Sequence, residues 1–228
     1  MRDYTTSIVI PIYKNWKLCH SLLTSIRRWE PEIDEVIVVD DCSEDPEVDG
    51  GLEFWIDSKL IPVQVVKTEK NGGFTISSNV GLRFAEKPIA TRHISFLISS
   101  DVKVTGKFID QSAEILLGAK RAFLGNRHIL FDTGWNNFDG RIFDYLEGWF
   151  LACTSDGWRD LGYFDEEYAP YDYEDIDIST TAKSKGYKLA SLNNPNIHHK
   201  GAGTIGFNPQ REAITTRNKE YFRSKWTK

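Results

Sequence analysis

Short apolar runs bounded by polar turns alternate along this chain with stretches in which apolar residues recur at helical spacing. Ser7 to Ile12 (SIVIPI) predicts a buried strand that stops near Pro11, since proline cannot donate to a strand ladder. Leu18, Leu22 and Ile26 then return every four residues. They predict a helix that opens at Asn15, carries Arg27 and Arg28 in its last turn and is ended by Pro31. Glu35 to Val39 (EVIVV) reads as a second buried strand. Strand, helix and strand within about thirty residues form a βαβ unit, whose crossover is right-handed. Phe54, Trp55 and Leu60 suggest a short helix and Val63 to Lys67 a third strand. Asn71-Gly72-Gly73-Phe74 marks a turn before a helix over 77–84. Ile94 to Ile98 is a nearly continuous apolar run, too short for a helix and right for a strand buried on both faces. It ends abruptly in Ser99-Ser100-Asp101, and a helix follows near Lys107 to Ala119 with Phe108, Ile115 and Leu116 inward.

From about residue 120 the pattern loosens. Arg121 to Leu124, His128 to Phe131 and Glu147 to Leu151 read as short strands around a Gly-, Asn-, Asp- and Trp-rich segment at 132–141. Asp172 to Lys185 predicts a short helix, Lys188 to Leu192 a strand, and Arg211 to Trp226 a terminal amphipathic helix. The expected architecture is α/β: a mostly parallel sheet flanked by helices, fused without a hinge to a mixed, partly antiparallel half. No repeat or linker divides the chain, so residues 1–228 are expected to form a single domain, about 1–119 nucleotide-binding and about 120–228 catalytic and acceptor-binding.

Composition changes this picture little. The 228 residues are 40% hydrophobic and 27% charged, ordinary for a globular protein with a sizeable core. A net charge of -5 without a basic stripe argues against nucleic acid as a partner. Cys19, Cys42 and Cys153 are odd in number and widely spaced, which disfavours a disulfide framework or zinc knuckle and fits a reducing compartment. Met1 to Ser7 contains no leader-like apolar core, and no apolar segment approaches the ~20 residues needed to cross a bilayer. A cytoplasmic location is expected, with peripheral membrane contact left open.

The candidate chemistry lies at strand ends. Pro11-Ile12-Tyr13, Asp40-Asp41 and Ser99-Ser100-Asp101 each close a strand, and in an open α/β sheet such ends line one ligand-binding rim. A capped turn would explain Asp40-Asp41 alone, but converging carboxylates repel unless a cation or a donor-rich ligand neutralises them. Mg²⁺ or Mn²⁺ takes oxygen ligands and commonly bridges a site to phosphates, so a sugar nucleotide diphosphate suits this rim. A second acidic cluster, Tyr171-Asp172-Tyr173-Glu174-Asp175-Ile176-Asp177, surrounds a predicted helix start, where Asp172 is the expected cap. Capping does not require Glu174 and Asp175 together, and one of them could accept a proton from an attacking hydroxyl. A helix start lowers an acid's pKa, so burial or the neighbouring Glu174 and Asp177 would have to raise it. His198-His199 precede Gly201-Ala202-Gly203, where imidazole could ligate a metal and backbone amides approach phosphate. That glycine stretch is neither GxGxxG after a first strand nor a P-loop.

Assembled in order, these residues resemble the family 2 glycosyltransferases of the GT-A fold. The resemblance is carried by SIVIPIYKN (7–15), EVIVVDDCSED (35–45), NGGFTISSNVGL (71–82), FLISSDV (96–102), GWFLA (148–152), LGYFDEEY (161–168), YEDIDIS (173–179) and IHHKGAG (197–203). It implies a GT-A fold with a Rossmann-like central sheet and a hexosyltransferase, rhamnosyl-, galactosyl- or glucosyl-transferase-like and inverting, of a kind used in polysaccharide biosynthesis. Pro11, Tyr13 and Asp41 match positions that hold the base and ribose, Gly73 and Asn79 the segment beside the nucleotide, and Ser100 is a further expected nucleotide-binding residue. Asp101 matches the last acid of the DxD-like motif that binds the divalent cation, Mn²⁺ or Mg²⁺. His198 matches the late histidine of the metal or diphosphate site, with His199 as the alternative. Asp175 matches the general base of the ED motif, with Glu174 beside it as a catalytic and acceptor-side acid. Trp149 matches a position facing the acceptor. The implied donor is a UDP-, GDP- or dTDP-sugar, and the acceptor a glycan, lipid-linked or protein-linked hydroxyl.

One departure stands out, because Ser99-Ser100-Asp101 offers a single carboxylate where the motif has two. The ion is then expected to be carried largely by the diphosphate and His198. The chain after that histidine holds one helix, with no appended acceptor domain or membrane segment expected. Two rival readings compete. A nucleotidylyltransferase would open with a Gly-rich loop where this chain has Pro11-Ile12-Tyr13-Lys14. A non-catalytic sugar- or nucleotide-binding module fits the reduced motif but not the retained Glu174, Asp175 and His198.

Overall fold

The computed structural model describes residues 2–89, 91–201 and 209–227. In chain order the elements of the first half are β1 (Thr5–Ile12), α1 (Trp16–Trp29), β2 (Glu35–Asp40), α2 (Pro46–Ser58), β3 (Val63–Lys67), α3 (Gly73–Phe84), β4 (His93–Ile98), β5 (Val102–Val104) and α4 (Ile109–Gly118). The second half holds β6 (Ala122–Gly125), β7 (His128–Ile129), β8 (Asn137–Phe138), β9 (Arg141–Ile142), β10 (Tyr145–Leu146), β11 (Phe150–Thr154) and α5 (Ser155–Leu161). A short 3₁₀ turn at Glu166–Tyr168 leads to α6 (Glu174–Ser184), β12 (Lys188–Ser191), β13 (Ile197–His199) and α7 (Pro209–Trp226).

A seven-stranded sheet of order β12-β6-β11-β4-β1-β2-β3 forms the centre. Every neighbour pair is parallel except those of β11, which runs antiparallel to both β4 and β6. The apolar runs are continuous because both faces are covered. Along β1, Ile8, Ile10 and Ile12 enter one core cluster with Cys19 and Leu22 of α1, while Val9 enters another with Leu82 of α3 and Trp158 of α5. Alternation along a strand thus feeds two helical layers. Pro11 is the penultimate residue of β1, which ends at Ile12 as expected. It lies beyond the last residue of β1 that pairs with β4, so its missing N–H costs no ladder bond there.

Three helices start elsewhere than periodicity suggests. α2 starts at Pro46, well before the aromatic residues that signal it, because Asp45 accepts the Glu47 N–H at 2.9 Å and proline suits the first helical position. α3 starts at Gly73 rather than Ser77. α6 starts at Glu174, because Asp172 and Tyr173 have φ of 73° and 77°, outside the helical region. Among the described residues no helix is long and apolar enough to cross a membrane.

Candidate active site

The carboxyl ends of β1, β2 and β4 open into one cavity of about 580 Å³. Its first wall is the chain leaving β1, with Pro11 and the partly exposed Tyr13. Asp41, just past β2, is buried, and its carboxylate staples the turn before α3. Its Oδ1 accepts the Gly72 N–H and the Thr68 hydroxyl, each at 3.0 Å, and its Oδ2 accepts the Gly73 N–H at 2.7 Å. Gly73 has φ +79°, and a Cβ there would lie 2.2 Å from Pro170 Cβ. Glycine is required on both counts.

Beyond β4 the chain turns through Ser99, Ser100 and Asp101 into β5, whose antiparallel partner β13 sets His199 opposite Val102 and His198 opposite Lys103. Side chains alternate along such a ribbon, so the two histidines face opposite ways. His199 faces the cavity, its Nε2 3.3 Å from Asp101 Oδ1 and its ring stacked on Trp149 at 5.0 Å and 12°. His198 turns away to the Thr105 hydroxyl at 3.0 Å and does not line the cavity. Of the two candidate histidines, the alternative His199 lines the cavity and the first choice His198 does not. Asn79 also lies off the cavity. Gly73, Phe74 and Ser77 line it, and Asn79 stands about 200° around α3 from Ser77. Its amide brackets the Phe164 main chain, accepting from N at 3.0 Å and donating to O at 2.9 Å. Ala202 and Gly203 of the glycine stretch lie outside the described residues.

The opposite wall is formed by residues 145–149 and 170–175. Asp175 Oδ2 accepts the Gly148 N–H at 3.1 Å and Oδ1 the Ile176 N–H at 2.8 Å, which fixes the plane of the carboxylate. A Cβ at Gly148 would come within 3.1 Å of Asp175 Cβ. Desolvation deep in the wall pushes the Asp175 carboxyl up to about 7 against those two N–H bonds, and the charges of Asp172 and Glu147 add to the rise. Glu174 is 6% exposed, with Oε2 buried and without a hydrogen-bond partner. Burial, then the charge of Asp175, holds its carboxyl well above the usual range. A carboxylate pair in this state suits proton transfer.

The remaining acids have other tasks. Asp172 does not cap α6 but binds Arg211 of α7, and Asp177 is buried against the Trp226 indole N–H at 2.7 Å and Lys225 at 3.0 Å. Four cavity residues carried no clear signal: Tyr145, Glu147, Asp172 as an ion-pair partner, and Arg211. Glu147 accepts the Trp149 indole N–H at 2.8 Å, and its position just before Gly148-Trp149 was a usable cue. Arg211 had none. Among the described residues no group of three His, Cys, Asp or Glu side chains gathers as a metal cage. Among the described residues, Asp101 and His199 are a carboxylate and an imidazole that stand together on the cavity.

The sequence matches a family model described as Glycosyl transferase family 2 over residues 7–151. No curated protein matches it. Among solved structures, GalNAc-T7 with UDP, GalNAc and Mn²⁺ superposes with a TM-score of 0.70 at 13% identity, over 86% of this chain and 44% of that one. The mannosyltransferase PcManGT from Pyrobaculum calidifontis, with GDP-Man and Mn²⁺, gives 0.62 at 17% identity over 84% and 55%. S. aureus TarS 1-349 gives 0.63 at 17% over 96% and 72%. The chain thus spans about half the length of the first two.

Proposed function

The chain belongs to glycosyl transferase family 2, and from that premise we propose that it moves a sugar from a nucleotide-diphosphate donor to an acceptor hydroxyl with inversion at the anomeric carbon. One observation carries the proposal. A half-buried carboxyl of raised pKa, Asp175, shares a cavity with a nucleotide-type rim of Pro11, Tyr13, Asp41 and Gly73 and with the Asp101–His199 pair. The UDP and GDP-Man complexes of similar structures support a nucleotide-sugar donor.

Asp41 and Tyr13 hold the base and ribose side, and Ser100 the turn beside the diphosphate. Asp101 and His199, an oxygen and a nitrogen donor 3.3 Å apart, would hold Mn²⁺ or Mg²⁺ as its protein ligands. When bound, such an ion lends Lewis-acid charge to the departing diphosphate. Asp175 takes the proton of the acceptor hydroxyl, whose oxygen bonds to the anomeric carbon as the bond to the diphosphate breaks. The Gly148 and Ile176 N–H groups keep its carboxylate oriented. Glu174 lines the cavity beside Asp175 as the acceptor-side acid, and Trp149 forms the adjoining wall. The ionised form of Asp175 is the active one, so transfer should fall as pH drops below about 7.

Asp175→Asn is expected to reduce transfer by about 10²–10⁴-fold while leaving nucleotide binding intact. Release of nucleoside diphosphate measures the rate, and NMR of the product gives the anomeric configuration. A variant of near wild-type rate, or retained configuration, overturns the proposal.

A further inference from the structure

Helix α7 grips the loop before the carboxylate pair with polar groups. Arg211, Thr215, Asn218 and Phe222 follow at intervals of four, three and four residues and share one face. The Arg211 guanidinium meets Asp172 in a fork, Nε to Oδ2 at 3.1 Å and Nη2 to Oδ1 at 2.8 Å. The two side chains are 16% and 11% exposed. The Thr215 hydroxyl donates to the same Oδ2 at 2.7 Å. The carbonyls of Tyr168, Tyr171 and Asp172 converge on the buried Asn218 amide, each at 2.8 Å. What these contacts hold is unusual backbone. Asp172 and Tyr173 occupy the left-handed region at φ 73° and 77°, which costs energy for residues with side chains. They are the last two residues before Glu174 and Asp175.

We infer that Arg211, acting through Asp172, is a positioning residue that holds the left-handed turn presenting Glu174 and Asp175 and balances the negative charge they face. The inference rests on the reading of Asp175 as the base. Among the described residues, the groups facing the carboxylate pair are Asp172 and Tyr173 on its own loop, Tyr145 and Glu147 from β10 and the turn after it, and Arg211 from α7. Asp101 and His199 stand in the same cavity. Asp172 pushes both carboxyls up, and Arg211 pulls Glu174 down.

The signs supply the test. Arg211→Gln leaves Asp172 unneutralised, so the acid limb of the pH–rate profile moves up. Asp172→Asn removes the negative charge that raises both carboxyls, so the limb moves down. Each shift should be about 0.5–1.5 pH units for one charge at this range. Loss of a purely structural contact would lower kcat in both variants with the limbs unmoved. Arg211→Lys should restore the wild-type limb while recovering kcat only in part, because lysine keeps the charge but not the fork. If Arg211→Gln does not fold, Asp172→Asn and Arg211→Lys carry the test, and limbs that coincide with wild type in both, together with a full kcat in Arg211→Lys, overturn the role of Arg211. Asp175→Asn, run alongside, separates the two failures. An active Asp175→Asn enzyme overturns the base assignment, whereas an inactive one with coincident limbs in the other variants overturns only the role of Arg211.

Discussion

His199 is fixed from two sides, by the plane of Trp149 and by the Asp101 carboxylate. A ring held in this way points one nitrogen at the place where the only DxD-like acid stands, whereas its neighbour His198 spends its Nε2 on Thr105. His199→Ala should therefore weaken Mn²⁺-dependent binding of a nucleoside diphosphate about tenfold or more, a loss of about 1.4 kcal/mol per factor of ten. His198→Ala should leave it within about twofold, since its imidazole is off the cavity. Titration calorimetry with and without Mn²⁺ checks both, and equal losses would contradict the assignment. The tandem histidine was visible in the sequence. Which member faces inward depends on residues 197–199 pairing with 102–104, a contact between segments far apart in the chain.

Among the elements, α7 departs furthest from its sequence pattern. It reads as amphipathic, yet its buried residues are Asn218 and Phe222, and Arg211 and Thr215 continue that face with hydrogen bonds. Hydrophobic periodicity has no means of registering a face whose anchors are polar. Its apolar anchor is Phe222, fully buried, with ring centroids 5.0 Å from Phe138 and 5.1 Å from Phe143. Phe222→Ala should cost about 3–5 kcal/mol of unfolding free energy, as emptied aromatic sites in cores do. Urea denaturation measures it, and a loss under about 1 kcal/mol would mean that α7 is not part of the cooperative fold. The start of α2, by contrast, is set by local residues, although Phe54 and Trp55 mark only its second half. Asp45-Pro46 is a cap and first-turn signature that needs no tertiary contact, and it marks the start better than Phe54 and Trp55 do.

Across the whole molecule, one sheet draws strands from both halves of the chain, and its rim gathers groups from residue 11 to residue 214 into one cavity. A ligand bound there should stabilise the entire fold. A nucleoside diphosphate at about 100 times its dissociation constant adds about 2.7 kcal/mol, or about 5–10 °C in Tm for a chain of this size. A thermal-shift panel of UDP, GDP and dTDP should show one base favoured, with a larger shift when Mn²⁺ is present. A flat panel would deny the rim its nucleotide role. The first four strands, the βαβ start and the strand-end acids 41 and 101 follow from sequence, because burial on two faces and strand-end chemistry are local patterns. The inward histidine, the off-cavity Asn79 and the Arg211–Asp172 pair were decided only by the tertiary fold. Each depends on which way a side chain points once distant segments pair, and a one-residue change in register reverses that direction.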